Sequence, residues 1–350
     1  MGTIPSTTLG SPTDIREDPM HTSKSAPAIA SPDQPGDSIQ RIVVALGGNA
    51  LGETPQEQIA NIEAAVPPIM EIIVQGHEVI LTHGNGPQVG IVQDAFQIGH
   101  DTDSRIPTMP LPECVAATQG YIGYHLQECI TDAMRARGMD RFCSTMVTAV
   151  EVDPKDPAFR NPVKPIGQFY TEDQAKKLME AQPGVVYRED SGRGWRRCVP
   201  SPDPKRIVEA ASILKLLDSR FTVIACGGGG IPVYRDEQGL LHGIDAVLDK
   251  DLGSAMLGID CNADRLFLLT AVENVYLGFG TPDQKALTDL PVADAKRYLA
   301  QGQFGAGSMA PKVEAAVRFA ESGPGRVAVI GALSKAPQIM GGTSGTRVHL

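Results

Sequence analysis

The stretch RFTVIACGGGGIPVY, Arg220 to Tyr234, joins an apolar run to four consecutive glycines. Phe221 to Cys226 reads as a buried strand, because a short apolar run bounded by breakers fits a strand covered on both faces. Glycine loses more conformational freedom on folding than any other residue. Gly227, Gly228, Gly229 and Gly230 together therefore imply that something comes against the strand's end where no side chain fits. Ile231-Pro232 and a second strand pattern follow, so the glycines do not lead into a helix.

The same alternation extends in both directions. RIVVAL (41–46) is a buried strand ending in Gly47-Gly48-Asn49, and HEVILT (77–82) is another, ending in HGNGPQVG (83–90). Further strand patterns cover 141–152, 264–271, 325–333 and 345–350, with a hairpin over 231–242. Helical patterns cover about 55–75, 113–138, 205–218, 249–260, 292–301 and 310–322, and Gly138 ends the second. Pro67-Pro68 predicts a break in the first, since an interior proline removes a hydrogen bond and costs about 3 kcal/mol. Strands alternating with helices predict an α/β fold with a mainly parallel sheet covered on both faces. Such sheets bind ligands beyond the carboxyl ends of their strands, which is where the glycines lie. Residues 153–202, rich in proline and carrying the basic runs VKP and GRGWRR, are expected to protrude as a lid subdomain of a 41–350 domain.

The 350 residues carry a formal charge of −10, which argues against duplex nucleic acid or an anionic membrane as main partner. Residues 1–40 are rich in Ser, Thr, Pro and Asp and lack an apolar block, so a disordered tail is expected there. They hold no signal-peptide core, their acids speak against a transit peptide, and Met20 stands as an alternative start. No apolar run approaches the roughly 18 residues of a membrane span. The six cysteines, at 114, 129, 143, 198, 226 and 261, show no metal spacing and read as small buried hydrophobes of a reducing cytoplasm.

Three glycine loops end three strands: Gly47-Gly48, Gly84-Asn85-Gly86 and Gly227 to Gly230. A bare turn presents N–H groups to an anion with no Cβ in the way. Turn sterics alone explain any one such loop; three on one sheet edge point to a phosphate site. No Walker A pattern is present, and Val89 stands where a dinucleotide fingerprint of the form GxGxxG would place its third glycine. Three lysines sit beside turn or cap chemistry: Lys164 between prolines, Lys250 between Asp249 and Asp251 at a helix start, and Lys312 opening a helix after glycines. A single lysine is ordinarily a solvated surface charge; it is the context of these three that sets them apart. His83 borders a glycine loop and reads as a hydrogen-bonded structural residue, and Arg193, Arg196 and Arg197 as a solvated hairpin.

With these motifs on the page, the sequence resembles the carbamate kinase branch of the amino acid kinase family. The resemblance runs through VVALGGNAL, HGNGPQVG, MPLPECVAATQGYIGY, NPVKPIGQF, EDSGRGWRRCVPSP, CGGGGIPV, DAVLDKDLGS, GSMAPKVEAA and GTRV, covering essentially all of 41–350. Related acetylglutamate, aspartate and uridylate kinases usually carry a lysine where this chain has Ala45, and in carbamate kinases a lysine of the insertion, matching Lys164, takes that role. The resemblance implies a three-layer αβα sandwich with an open sheet, a cytoplasmic homodimer, and Mg²⁺ accompanying ATP or ADP. It implies phosphoryl transfer between ATP and carbamate, with carbamoyl phosphate as the other product and ATP synthesis during arginine breakdown as the usual use. On this reading Lys164 and Lys250 neutralise the travelling phosphoryl group, and Asp249 orients both lysines. The backbone at Gly47, Gly48, Asn49, Gly84, Asn85 and Gly86 holds the substrate. Gly227, Gly228, Gly229, Gly230 and Lys312 serve the nucleotide, and no protein ligand set for a metal is visible. Two alternatives stay open: another small acceptor, or a silent nucleotide-binding homologue.

Overall fold

Alternate residues of Arg41–Leu46 point in opposite directions, and both directions are filled. Val43 and Ala45 enter one apolar cluster, Ile42, Val44 and Leu46 another. Such a strand needs cover on both faces, and burying each Val or Ile contributes about 1.5–3 kcal/mol. The computed structural model describes residues 39–47, 51–52, 54–190, 192–305 and 307–350. Met20 and all of the 1–40 tail except Ile39 and Gln40 lie outside these residues, as do Gly48 and Asn49.

This strand, β1 (Arg41–Leu46), lies inside an eight-stranded sheet with β2 (Glu78–His83), β3 (Cys143–Thr145), β9 (Thr222–Ile224), β12 (Arg265–Thr270), β15 (Asp289–Pro291), β16 (Val327–Ala332) and β17 (Thr346–His349). The order is β15-β17-β16-β12-β1-β2-β9-β3, and every pair is parallel except β16 with β17. Helices α1 (Pro55–Val74), α3 (Leu111–Ala136) and α9 (Ala336–Met340) cover one face. Helices α5 (Ala210–Asp218), α6 (Lys250–Asp260), α7 (Val292–Ala300) and α8 (Met309–Glu321) cover the other. The αβα sandwich is therefore present.

Helix α2 (Gly86–Thr102) leaves the end of β2 and meets a separate three-stranded sheet of β5 (Lys164–Tyr170), β6 (Val186–Glu189) and β7 (Trp195–Val199), joined by α4 (Glu172–Ala181). A four-stranded sheet of β4 (Ala149–Val152), β8 (Pro204–Ile207), β10 (Ile231–Arg235) and β11 (Leu241–Gly243) and a small pair, β13 (Val275–Leu277) with β14 (Lys285–Leu287), complete the strands. Among the described residues no helix is long and apolar enough to cross a membrane. The six cysteines are unpaired, five of them buried.

Three expectations need correction. Helix α1 runs unbroken through Pro67 and Pro68. The carbonyls those prolines leave without donors belong to Glu63 and Ala64, both exposed, so water can serve them while Ile62, Ile69, Met70 and Ile73 stay buried. The 141–152 strand is two strands in different sheets. Gln119 of α3 accepts from the Thr148 N–H and donates to the Thr148 carbonyl (2.8 and 3.1 Å), fixing the chain where it leaves β9; the same carbonyl also accepts from the Ile231 N–H at 2.9 Å, so from Thr148 onward the pairing is with β10. Residues 204–207 are strand, and the helix expected from 205 begins at Ala210.

Candidate active site

Strands β1, β2 and β9 run parallel, so their carboxyl ends lie along one edge. Beyond it is a cleft of about 720 Å³ with Gly84, Asn85, Gly86, Lys164, Gly228 and Lys250 on its walls. Asp249, Asp251 and Lys312 also line it. Three lysines far apart in sequence thus gather at one crevice.

They are held there by two carboxylates. Asp249 is the N-cap of α6; its Oδ1 accepts from the N–H groups of Asp251 and Leu252 at 2.9 and 3.3 Å. Its Oδ2 accepts from Lys164 Nζ at 2.6 Å. Asp251, in the first turn of α6, accepts from Lys250 Nζ at 2.5 Å and from Lys312 Nζ at 2.9 Å. The expectation that Asp249 orients two lysines is therefore corrected: it pairs directly with Lys164, and Asp251 holds the others. Three ammonium groups face two carboxylates, leaving one net positive charge beside open volume. Helix α6 is tied to the sheet below: Ser254 Oγ donates to the Lys250 carbonyl, so Thr82 Oγ1 donates to Ser254 Oγ, each at 2.6 Å.

Burial raises the proton affinity of both carboxyls, yet the lysines outweigh it. Lys164 and then Lys250 hold Asp249 well below the usual carboxylate range. Lys250 and Lys312 hold Asp251 down likewise. Burial lowers the Lys250 pKa, Asp251 opposes that, and the neighbouring charge of Lys312 adds to it. Both carboxylates are ionised at neutral pH. His83 is different: burial holds it down to about 4 while its Nδ1–H donates to the Gly84 carbonyl at 3.0 Å. It is neutral at pH 7 and does not carry protons there.

The four-glycine run answers to the protein more than to the cleft. A Cβ at Gly227 would stand 2.4 Å from His83 Nε2, at Gly228 2.3 Å from Asn85 Nδ2, at Gly229 2.9 Å from Leu248 Cβ and at Gly230 2.1 Å from Val150 Cγ2. Gly228, Gly229 and Gly230 also have φ between 67° and 96°. Only Gly228 of the four lines the cleft. Gly86 is the opposite case, with no protein atom within 4 Å of its absent Cβ. Gly47 closes β1 against the Leu269 carbonyl, 3.0 Å from where a Cβ would be. Asn85 precedes α2 without making a side-chain cap; its Nδ2 donates to Thr118 Oγ1 at 2.9 Å. The first N–H groups of α2 thus lack a side-chain partner from their N-cap residue, at a wall of the cleft.

The basic hairpin is not uniformly solvated. Arg196 is buried and donates through Nε and Nη2 to the Gly167 carbonyl at 3.1 and 2.8 Å. Arg193 is exposed, lies 4.8 Å over the Phe169 ring and reaches the mouth of the cleft. Asp251 is the residue that sequence reasoning passed over. Its signal was present in DKD: acids two apart at a helix start can cap with the first and turn the second inward.

A family model for the amino acid kinase family matches residues 40–331. The chain belongs to the amino acid kinase family. The chain is 48% identical over 307 residues to the carbamate kinase-like protein YqeA of Escherichia coli, covering 88% of this chain and 98% of that protein. It is 44% identical over 308 residues to a carbamate kinase of Staphylococcus epidermidis, covering 88% and 99%. Among solved structures, a Giardia lamblia carbamate kinase bound to AMP-PNP superposes with a TM-score of 0.80 at 41% identity, covering 89% of this chain and 99% of that one. Within this amino acid kinase the cleft lies where open α/β sheets take their ligands.

Proposed function

We propose that this amino acid kinase is a carbamate kinase, transferring a phosphoryl group reversibly between ATP and carbamate to give ADP and carbamoyl phosphate. The observation that carries the reading is the convergence of Lys164, Lys250 and Lys312 on one cleft through Asp249 and Asp251. Carbamate is already an anion, so its oxygen attacks the γ-phosphorus without a general base. One P–O bond forms as the bond to the ADP leaving oxygen breaks, and catalysis reduces to positioning and charge neutralisation. Lys164 and Lys250 neutralise the equatorial oxygens, and Lys312 meets the nucleotide phosphates. The uncapped start of α2 at Asn85 and Gly86, positive by its dipole, takes the small acceptor. The backbone at Gly84 completes that side, and Gly228 borders the nucleotide.

Among the described residues no group of three His, Cys, Asp or Glu could hold a metal. Of the cleft carboxylates, Asp249 and Asp251 pair with lysines and Glu314 with Arg318. Mg²⁺ enters the reading as the companion of the nucleotide phosphates. A cytoplasmic location remains part of the proposal, as does a homodimer, which sedimentation would test. Edge strand β3, flanked by exposed Phe142 and Val147, supports the dimer.

One observation favours a second reading: the 48% relative is named carbamate kinase-like. A silent homologue, or one with another acceptor, would bind nucleotide without this turnover. A coupled assay with carbamoyl phosphate and ADP decides. ATP formation supports the first reading, and nucleotide binding without ATP formation supports the second.

A further inference from the structure

Helix α2 and strand β5 come together backbone to backbone. A Cβ built on Gly90 would lie 2.2 Å from the Gly167 Cα and 2.3 Å from its nitrogen. Real Cβ atoms do not approach that closely, so no residue but glycine allows this seating. Gly167 has φ 70°, and its carbonyl accepts from the buried Arg196, so β5 has little freedom to move aside. One helical turn on from Gly90, Asp94 Oδ2 accepts from Tyr170 Oη at 3.2 Å. Gly90 and Asp94 thus meet Gly167 and Tyr170 along one face. Lys164 is the first residue of β5, three positions before Gly167, and it crosses to Asp249.

We propose that Gly90 is a positioning residue for Lys164: its missing side chain sets how close β5 lies to α2, and hence whether the Lys164 ammonium reaches Asp249. The Tyr170–Asp94 bond fixes the far end of the same contact. The catalytic consequence rests on the role given to Lys164 above; the geometric part does not. The contact also explains why a lysine on a separate sheet can be placed finely, since α2 starts at the cleft wall and carries β5 at a fixed offset from it.

The test pairs a chemical with a kinetic measurement on the full chain. Lysine acetylation rates are read residue by residue by mass spectrometry in wild type and Gly90→Ala. The expected result is a several-fold faster reaction at Lys164, with Lys250 and Lys312 unchanged. No change at Lys164, or an equal rise at all three, overturns the proposal. In turnover, Gly90→Ala should lose about 10²-fold in kcat, the scale of a misplacement of about 1 Å, with KM for ADP within about twofold. Combined with Lys164→Ala it should add almost nothing, because both act through one contact. Multiplied losses overturn the proposal. If Gly90→Ala does not fold, Tyr170→Phe takes its place: Lys164 alone should again react faster, by a smaller factor, and an unchanged rate overturns the idea. Full activity of Lys164→Ala by itself would instead sink the functional reading, and the acetylation pattern would still judge the geometry.

Discussion

Two of the three cleft lysines belong to the body of the sandwich and one to the separate sheet, and the two groups are held differently. Lys250 and Lys312 sit in the first turns of α6 and α8, with side chains 13% and 7% exposed, sharing a carboxylate that is 4% exposed. Lys164 is 26% exposed and crosses from β5 to a cap residue of α6. A cation in a first helical turn opposes the helix dipole by about 0.3–1 kcal/mol. Two such placements, buried as well, do nothing for stability by themselves. They concentrate positive potential at one place and make Asp251 indispensable to it. The body therefore holds a fixed cluster of positive charge, and Lys164 is a charge added from outside.

Removing the shared carboxylate should show the largest effect. Asp251→Asn leaves two buried ammonium groups without their counter-charge, a change that costs about 3–5 kcal/mol. Urea unfolding should register that loss along with a collapse of turnover. A stability within about 1 kcal/mol of wild type would erase the distinction, because it is what a half-exposed pair gives. Lys164→Ala should show the complementary pattern. Its kcat is expected to fall about 10²–10³-fold, while its unfolding free energy falls by less than that of Asp251→Asn, because one partly exposed lysine is lost from a carboxylate that keeps its helix-cap bonds. Equal stability losses in the two variants would mean that the arm formed by the β5, β6 and β7 sheet is as structural as the body.

Acid should separate the two regions as well. His83 is held down to about 4, against an ordinary value of 6.5. Between these values the unfolded chain takes up a proton that the folded chain refuses. Stability from this group is thus present above pH 6.5 and lost as pH falls toward 4, by about 3 kcal/mol. His83→Gln should flatten that part of a stability–pH curve; an unchanged slope assigns the loss elsewhere. Over the same window the depressed Asp249 stays ionised and the Lys164 link holds. The smallest expected effect is optical. Trp195 begins β7 beside Tyr170, so saturating nucleotide should change its emission if the arm shifts on binding. A constant signal would make the arm as static as the body.

The buried strands of the main sheet were legible because both their faces are apolar, as in β1, β2, β12 and β16. The converging lysines were legible because each stands beside a turn or cap. What escaped was tertiary. No pattern in 141–152 says that the chain will change sheets at Thr148, where Gln119 and Ile231 meet its backbone groups. Lys205 and Arg206 hide β8 because both face solvent. The glycines at 227–230 could be seen to need bare backbone, but that His83, Asn85, Leu248 and Val150 claim the space is a fact of packing. The unbroken α1 shows a proline penalty overridden by a buried face.

Asp249 and Asp251 also bear on selectivity. Each lysine already has a carboxylate, so on the proposed reading an arriving phosphate takes over a cation from a resident acid instead of meeting a naked one. Recognition would then be a swap of partners, in which a stray anion gains little and a ligand that engages several lysines at once displaces both acids.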